Sequence, residues 1–138
     1  ETLRVTNLGE LSEKDNVNIE RAARFSDEIG GHLLSGHVHD TATVSKIIKQ
    51  ENNVTIFLKV DDTWLDYIFP KGYVALNGAS LTIGEKVEED SFCVHLIPET
   101  LRLTTFCETK EGSRLNIEID NQTQAIVNTV KKYLTKNF

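Results

Sequence analysis

The stretch GGHLLSGHVHDTA, residues 30–42, contains three of the four histidines of the chain, His32, His37 and His39, set between glycines. Imidazoles bind metal ions and transfer protons near neutral pH. If the stretch is a β-strand, alternation predicts His37 and His39 on one face and His32 on the other. Gly36 precedes His37 and allows the backbone to approach a ligand closely. His37 is therefore the first candidate for chemistry.

A metal site is the weaker reading of these histidines. The chain has no CxxC or HExxH pattern that would supply zinc ligands at the usual spacing. His95 could join the cluster, but nothing in the spacing requires it. We expect no metal, and we interpret His32, His39 and His95 as solvent-exposed or core-edge side chains.

The stretch KGYVALNGASLTIGE, residues 71–85, places two hydroxyls at alternate positions after an Asn77-Gly78 turn. Ser80 and Thr82 therefore share one face of a strand. They could bind a polar planar ligand, and an ordinary solvent-facing strand explains them equally well. Lys71 alone is more typical of a surface charge.

The stretch NIEID, residues 116–120, ends in a carboxylate where a helical pattern begins. We expect Asp120 or Asn121 to cap that helix. Glu118 alternates with the apolar Ile117 and Ile119, so its side chain is predicted to be solvent-exposed.

The elements that must position these residues are mostly short segments with a β-strand pattern. They are TATVSKII, VTIFLKV, GYVAL, SLTIGEKV, SFCVHLI and SRLNIEI, with turns at residues 50–53, 77–78 and 88–90. Six short strands with hairpin turns indicate an antiparallel barrel or sandwich. DTWLDYIF predicts a helix that ends at Pro70, and residues 121–138 predict a longer helix with an apolar stripe.

Charge and composition limit the function classes. The formal net charge of -6 argues against a general nucleic-acid binder. No segment approaches the roughly 20 apolar residues of a membrane-spanning helix, and no signal-peptide pattern is present. Cys93 and Cys107 form no spacing motif, and reduced thiols in a cytoplasmic protein are the expected state. The chain starts at Glu1 and has no methionine, which suggests a fragment.

The first 22 residues repeat near the end of the chain. ETLRVTNLGELSEKDNVNIE at Glu1 returns as ETLRLTTFCETKEGSRLNIE at Glu99, a spacing of 98 residues. This spacing is that of a small domain rather than of a solenoid unit. The repeat predicts a tandem duplication, with residues 1–22 as the tail of one copy and residues 23–120 as a second copy.

Four blocks together resemble the bacterial riboflavin synthase family: FSDEIGGHLLSGHVHDTATV, KGYVALNGASLTIGE, FCVHLIPETL and NIEIDNQTQAIV. The resemblance implies two related six-stranded antiparallel Greek-key β-barrels followed by a C-terminal α-helix. Residues 1–22 would then correspond to the last strands of an N-terminal barrel, residues 23–120 to the C-terminal barrel, and residues 121–138 to a helix through which the family forms homotrimers.

The resemblance also implies a reaction. Two molecules of 6,7-dimethyl-8-ribityllumazine exchange a four-carbon unit, giving riboflavin and 5-amino-6-ribitylamino-pyrimidinedione, without a cofactor. The protein orients two substrates and assists proton transfer, in a site shared between barrels of neighbouring subunits. Lumazine synthase is a possible partner.

Site residues follow from the same resemblance. His37 matches a histidine at the shared site, and with Ser80 and Thr82 it is assigned a catalytic role. The substrate-binding positions are Gly36, Val38, Lys71, Ser80, Thr82, Leu96, Ile97 and Asp120, where the backbone of Leu96 and Ile97 holds the ring edge.

Two departures from the family pattern bear on activity. Asn77 stands where the family commonly has Asp, and a turn accepts either residue. The cysteine-containing strand of the N-terminal barrel is not in this sequence, so the 138-residue chain is expected to be inactive or nearly so. Two alternatives remain, a non-catalytic lumazine or flavin binder of the same fold and a structural module whose C-terminal helix drives self-association.

Overall fold

Six antiparallel strands close into one barrel in the computed structural model, which describes residues 1–88 and 90–137. Around the barrel the order is β1-β2-β5-β4-β3-β6, so β2 lies beside β5 and β3 beside β6. These non-sequential neighbours are the Greek-key crossovers that the resemblance predicts. The strands are β1 (Asp40–Lys49), β2 (Val54–Lys59), β3 (Tyr73–Leu76), β4 (Ala79–Glu88), β5 (Ser91–Leu96) and β6 (Arg114–Ile119).

Four helices accompany the barrel: α1 (Thr2–Val5), α2 (Asp62–Leu65), α3 (Pro98–Leu103) and α4 (Asn121–Asn137). Short 3-10 turns follow α1 at Asn7–Glu10 and α3 at Thr105–Glu108. The six predicted strands and the C-terminal helix are confirmed. The helix predicted to end at Pro70 is shorter than expected, because residues 66–68 continue as turns. Glu89 of the predicted 88–90 turn and Phe138 lie outside the described residues.

Alternate residues of each strand fill the barrel interior. The fully buried side chains include Val44, Ile56, Leu58, Leu76, Ile83, Phe92, Val94, Leu96, Ile117 and Ile119. Their period of two leaves the intervening side chains on the outer face of the sheet. Every side chain that could bind a ligand at the barrel wall therefore sits at an outward position.

The β3–β4 hairpin fixes the register of the predicted hydroxyls. Asn77 and Gly78 have φ values of 44° and 81°, both positive, as the tightest hairpin turns require. The turn pairs Ala75 with Ser80 and Tyr73 with Thr82. Ser80 and Thr82 therefore lie on one face of β4, as the sequence predicts.

The histidine-rich stretch is a loop rather than a strand. β1 begins only at Asp40. Gly31 and Gly36 have φ values of 98° and 78°, which interrupt an extended strand. The strand-based argument for which histidines share a face does not apply.

Polar contacts from α2 and the loop before β1 hold α4 against the barrel. Tyr67 donates its hydroxyl to Asn128 Oδ1 at 2.6 Å, and Lys131 forms an ion pair with Asp66 at 2.7 Å. His39 Nε2 lies 3.2 Å from the Gln124 amide. The apolar stripe of the helix faces outward, with Ile126 and Tyr133 65% and 66% exposed.

Residues 1–15 fold in the same way as residues 99–113, although they contain no strand. Arg4 pairs with Glu1 as Arg102 pairs with Glu99. The Thr6 hydroxyl donates to Thr2 O at 2.6 Å, and that of Thr104 donates to Thr100 O at the same distance. The ETLR repeat therefore specifies a helix, a 3-10 turn and a tight turn, rather than the last strands that the resemblance implies. The segment equivalent to β6 lacks the strand pairing that β6 has with β1 and β3.

The two repeats contact each other reciprocally. Asn116 Oδ1 accepts from the Asn7 N–H at 2.7 Å, and Asn18 Oδ1 accepts from the Thr105 N–H at 2.8 Å. Because 7 and 105, like 18 and 116, differ by the repeat spacing of 98, the two bonds are related by an approximate twofold axis.

Two contacts between side chains are related by the same spacing of 98 residues. Glu10 pairs with Arg114 at 2.6 Å, and Glu108 accepts from Asn16 Nδ2 at 2.6 Å. We call these four contacts the reciprocal clasp. It attaches residues 1–18 to the barrel even though they belong to no strand.

Replacing Asn18 with alanine removes two of the bonds that attach the tail, those to the Thr105 N–H and to Asn77 O. Each leaves a partly buried group without its partner, so the free energy of unfolding should fall by about 1–2 kcal/mol. Asn16→Ala, which removes one exposed bond, is the matched control and should cost less than about 0.5 kcal/mol. Urea unfolding measures both, and equal losses in the two variants would contradict the role given to Asn18.

Candidate functional site

The pairing of β4 with β5 stops before the end of either strand. The last pair on that side is Ile83 with Val94, and in the described chain the ladder does not continue to Ser80 or Thr82. Ile83 exchanges backbone hydrogen bonds with Lys71 and Gly72 on its other side. Since backbone groups alternate sides along a strand, those of Thr82 point towards β5. We call the gap between Ser80–Thr82 and residues 95–97 the open seam.

Predicted ligand-binding residues of β4 and of the end of β5 border this seam. Thr82 is exposed on β4, Leu96 is buried at the end of β5, and Ile97 beyond it is 59% exposed. The backbone N–H of Lys71 bonds to Ile83 O at 2.9 Å, which places the backbone of that lysine on the β3 side of β4, away from the seam. A flat ligand edge with donors and acceptors could here continue the hydrogen bonding that the strands leave unfinished.

Ser80 is already bound by the loop before β1. Its Oγ accepts from the His32 N–H at 3.2 Å and lies 2.6 Å from His32 Nδ1. Gly31 packs so closely that a Cβ there would collide with Ser80 Oγ. The His32 ring also stacks on Tyr73, with centroids 5.1 Å apart and planes inclined by 22°. The loop thus fixes the orientation of the Ser80 hydroxyl.

His32 contacts the candidate site, although its sequence context predicted only a solvent-exposed or core-edge side chain. Its Nε2 is buried and has no hydrogen-bond partner among the described residues. Burial lowers the pKa of His32, against the opposing influence of the Asp120 and Glu118 carboxylates. In the tautomer whose Nδ1 accepts from the Ser80 hydroxyl, the neutral ring carries its proton on Nε2. The only signal in the sequence is the Gly30-Gly31 pair before it, which permits the close approach.

Asp120 caps α4, as the sequence predicts. Its carboxylate accepts from the Thr123 N–H at 2.9 Å and from the Thr123 hydroxyl at 2.8 Å. Burial alone would raise the pKa of Asp120, but the hydrogen bonds from Thr123 and the Gln122 N–H outweigh burial and lower it. The substrate-binding role assigned to Asp120 stays a prediction.

Glu118 is 5% exposed, so the expectation of a solvent-exposed side chain is wrong. Its carboxylate accepts from the Ser35 N–H at 2.8 Å, the Ser35 hydroxyl at 2.9 Å and the Gly36 N–H at 3.1 Å. The loop folds over the outer face of β6 to reach it, which alternation along β6 alone cannot reveal. This buried carboxylate anchors the turn that presents His37.

His37 is exposed, with its Nδ1 2.9 Å from the Ser35 hydroxyl. Its neighbours Gly36 and Val38 line a cavity of about 290 Å³ between the N-terminal tail and the barrel, together with Asn18 and Asn77. The structure therefore divides the predicted residues between two places, the open seam and the boundary with the tail. The catalytic roles of His37, Ser80 and Thr82 stay predictions.

Other classes of site receive no support from the described residues. Across residues 1–88 and 90–137, no three His, Cys, Asp or Glu side chains cluster closely enough to hold a metal ion. Cys93 and Cys107 are both free thiols. Within the same ranges, no helix has the length and apolarity to span a bilayer.

The lowered pKa of His32 predicts a pH dependence of stability. In the folded protein burial lowers the pKa of His32, whereas the unfolded chain protonates it below its ordinary pKa of 6.5. The unfolded state then binds more protons, so the free energy of unfolding should fall as the pH drops from 6.5 towards the folded pKa. His32→Asn should flatten this slope in thermal unfolding at several pH values. His37→Asn is the control and should retain it, and an unchanged slope in His32→Asn would contradict the assignment.

Comparison with known proteins gives close relatives. The chain is 59% identical to riboflavin synthase of Escherichia coli (strain K12) over 135 residues, which cover 97% of this chain and 63% of that protein. It is 47% identical to riboflavin synthase of Buchnera aphidicola subsp. Schizaphis graminum over 137 residues, covering 99% of this chain and 65% of the relative. The chain thus spans less than two thirds of the length of these curated relatives.

A solved structure and a family model indicate the same family as the sequence relatives do. A crystal structure of LumP complexed with riboflavin is 27% identical with a TM-score of 0.76, over 86% of this chain and 64% of that one. The model of the lumazine binding domain matches residues 35–120, from the Ser35 turn through all six strands to Asp120. This chain therefore belongs to the lumazine-binding domain family.

Proposed function

We propose that this chain is the C-terminal lumazine-binding part of a riboflavin synthase. The observation that carries the proposal is the identity with the Escherichia coli enzyme along almost the whole chain. The proposed reaction transfers a four-carbon unit between two molecules of 6,7-dimethyl-8-ribityllumazine and yields riboflavin and 5-amino-6-ribitylamino-pyrimidinedione. No cofactor is invoked, because orientation of the two substrates and proton transfer are the tasks left to the protein.

The open seam is the proposed site of the lumazine ring. The ring edge would bond to the backbone of Leu96 and Ile97, and the Thr82 hydroxyl would contact it from β4. Lys71, whose backbone bonds to Ile83 on the other edge of β4, would add a positive charge by extending its side chain towards the ring. The contact between His32 Nδ1 and Ser80 Oγ, 2.6 Å long, would hold the Ser80 hydroxyl in place beside the ring.

Residues 1–22 are proposed to close a second barrel of the same family. The reciprocal clasp supports this, since each half of the repeat makes the contacts that the other half makes. The exposed His37 is proposed to face the N-terminal barrel of a neighbouring subunit, where an imidazole can transfer a proton between two bound lumazines. In this proposal residues 23–120 supply one side of the shared site, and an N-terminal barrel supplies the other.

A second candidate function is non-catalytic binding of a lumazine or flavin. The solved structure of LumP complexed with riboflavin favours it, since the two folds correspond closely. The identity to that protein is far below the identity to the synthases, and this chain retains SGHV and GASLT. Binding without turnover after a complete N-terminal barrel is supplied would favour this alternative.

The exposed face of α4 supports a proposal of self-association. Ile126, Val130, Tyr133 and Leu134 lie on one stripe, each roughly half to two thirds exposed. A stripe of this kind is normally covered by another apolar surface. We include in the proposal a homotrimer through this helix, a cytoplasmic location and lumazine synthase as a possible partner.

The function is tested by separating binding from turnover. The 138-residue chain should bind 6,7-dimethyl-8-ribityllumazine in a fluorescence titration and form little or no riboflavin. Supplying a complete N-terminal barrel should restore riboflavin formation. Normal turnover by the chain alone would contradict the shared site, and no lumazine binding would contradict the proposed function.

Thr82→Val should weaken lumazine binding about tenfold, because it removes a hydroxyl proposed to contact the ring and keeps the shape of the side chain. Thr43→Val is the matched control, since Thr43 is also an exposed strand threonine but lies on β1. The same titration measures both variants. Equal affinity of Thr82→Val and the wild type would place the ring elsewhere.

Ile126→Glu should shift the protein towards monomer in analytical ultracentrifugation, since it puts a charge in the middle of the proposed helix contact. Lys132→Glu, on the opposite side of α4, is the control and should leave the oligomer unchanged. A wild-type chain that is monomeric at all concentrations would exclude self-association through this helix.

A further inference from the structure

The β6 strand extends past the point at which its neighbour β1 begins. Asp40 is the first residue of β1 and pairs with Ile117. Because the backbone groups of alternate residues point to the same side of a strand, the N–H of Ile119 faces the β1 side, beyond this last pair. Ile119 is only 2% exposed. A buried N–H without an acceptor costs about 1–3 kcal/mol, so this group requires a partner other than a strand.

The side chain of His39 supplies that partner. Its Nδ1 accepts from the Ile119 N–H at 3.2 Å, and its backbone N–H donates to Ile117 O at 2.9 Å. The imidazole thus takes the place that the carbonyl of a preceding β1 residue would have in a longer ladder. His39 therefore bonds to the end of β6 through its backbone and through its ring.

These contacts determine which nitrogen of the His39 ring carries the proton. A backbone N–H can only donate, so Nδ1 is unprotonated and the neutral ring carries its proton on Nε2. Nε2 lies 3.2 Å from the Gln124 amide nitrogen, and since two N–H groups cannot bond to each other, the amide presents its oxygen there instead. The rings of His39 and Trp64 also meet edge to face, with centroids 5.1 Å apart. The imidazole is therefore held in one orientation by three contacts.

Asp120 follows Ile119 directly and depends on the same attachment. Its carboxylate caps α4 by accepting from the Thr123 N–H at 2.9 Å. Burial lowers the pKa of His32 and the Asp120 carboxylate partly opposes this, so the carboxylate lies near the ring that contacts Ser80. Because a single peptide bond joins Ile119 to Asp120, the acceptor that holds the Ile119 N–H also sets where this carboxylate stands.

We propose that His39 is a positioning residue of the lumazine site. Through Nδ1 it holds the end of β6, and with it the Asp120 carboxylate, in the place that ligand binding requires. The proposal rests on the proposed function, because it takes Asp120 to contact the bound lumazine. It gives a role to a side chain that its sequence context placed only in solvent or at the core edge.

The hydrogen bond is tested first without a ligand, by NMR of the 138-residue chain labelled with nitrogen-15. At about pH 8, where histidines are ordinarily neutral, His39 should show an unprotonated Nδ1 and a protonated Nε2. A proton on Nδ1 under these conditions would overturn the proposal, because Nδ1 could then not accept from Ile119.

Two substitutions separate the roles of the two ring nitrogens. The amide oxygen of asparagine can occupy the place of Nδ1, whereas glutamine carries its amide further out, at the level of Nε2. His39→Gln should therefore weaken binding of 6,7-dimethyl-8-ribityllumazine about tenfold in a fluorescence titration, and His39→Asn should bind within about twofold of the wild type. Wild-type affinity in His39→Gln, or an equal loss in the two variants, would overturn the proposal.

Tyr67→Phe controls for a merely structural effect. It removes the hydroxyl that bonds to Asn128 Oδ1 at 2.6 Å and attaches α4 to the barrel, and it leaves His39 and Asp120 unchanged. The variant should lower the melting temperature and keep the lumazine affinity of the wild type. A loss of affinity as large as that of His39→Gln would mean that loosening α4 is sufficient, and it would overturn the positioning role.

A double substitution tests whether His39 acts through Asp120. Asp120→Asn removes the charge but keeps a residue type that caps helices, so it should weaken lumazine binding while α4 stays folded. Adding His39→Gln to this variant should cause no further loss, because both changes act on one contact. Losses that add, or normal binding by Asp120→Asn, would overturn the proposal.

Failure of the proposed function has a different signature. A wild-type chain that binds no lumazine would contradict that function, and with it the ligand-binding role of His39, even where NMR confirms the hydrogen bond. Lumazine binding that is unaffected by His39→Gln would instead contradict only the role of His39.

Discussion

The geometry of the site depends on one constraint, the closure of a six-stranded ladder that remains incomplete between β4 and β5. Closure requires the inward side chains to fill a single interior, which leaves only outward positions for ligand binding. Where the ladder stops after Ile83 and Val94, backbone groups lose their strand partner. Thr82, Ile97 and the His32–Ser80 pair surround that interruption, so the same feature that weakens the barrel wall provides a place for a hydrogen-bonding ring.

The reciprocal clasp relates the fold to the proposed two-substrate chemistry. A duplicated barrel in which each copy makes the contacts of the other places two equivalent binding surfaces about one approximate axis. Asn18 and Asn116 occupy equivalent positions in the repeat and accept from equivalent backbone N–H groups. A reaction between two identical substrates suits an arrangement of this kind. The exposed loop with His37 lies next to the tail, where a second barrel would be continuous with residues 1–22.

Local sequence patterns correctly predicted the strands, one hairpin turn and one helix cap. Alternation located all six strands, the Asn77-Gly78 turn set the register of Ser80 and Thr82, and Asp120 capped the last helix as expected. The predicted burial of side chains was wrong where a loop folds across a strand. His32 and Glu118 appeared peripheral because their partners, Ser80 and Ser35, lie 48 and 83 residues away. Periodicity carries no information about contacts of that separation.

A crystal structure of the 138-residue chain with bound 6,7-dimethyl-8-ribityllumazine would test the account most directly. The account predicts the ring in the open seam, with its edge on the backbone of Leu96 and Ile97 and its face near Thr82. A ring bound in the tail cavity beside Gly36 and Val38, with the seam empty, would contradict the central claim that the unfinished β4–β5 ladder is the ligand site.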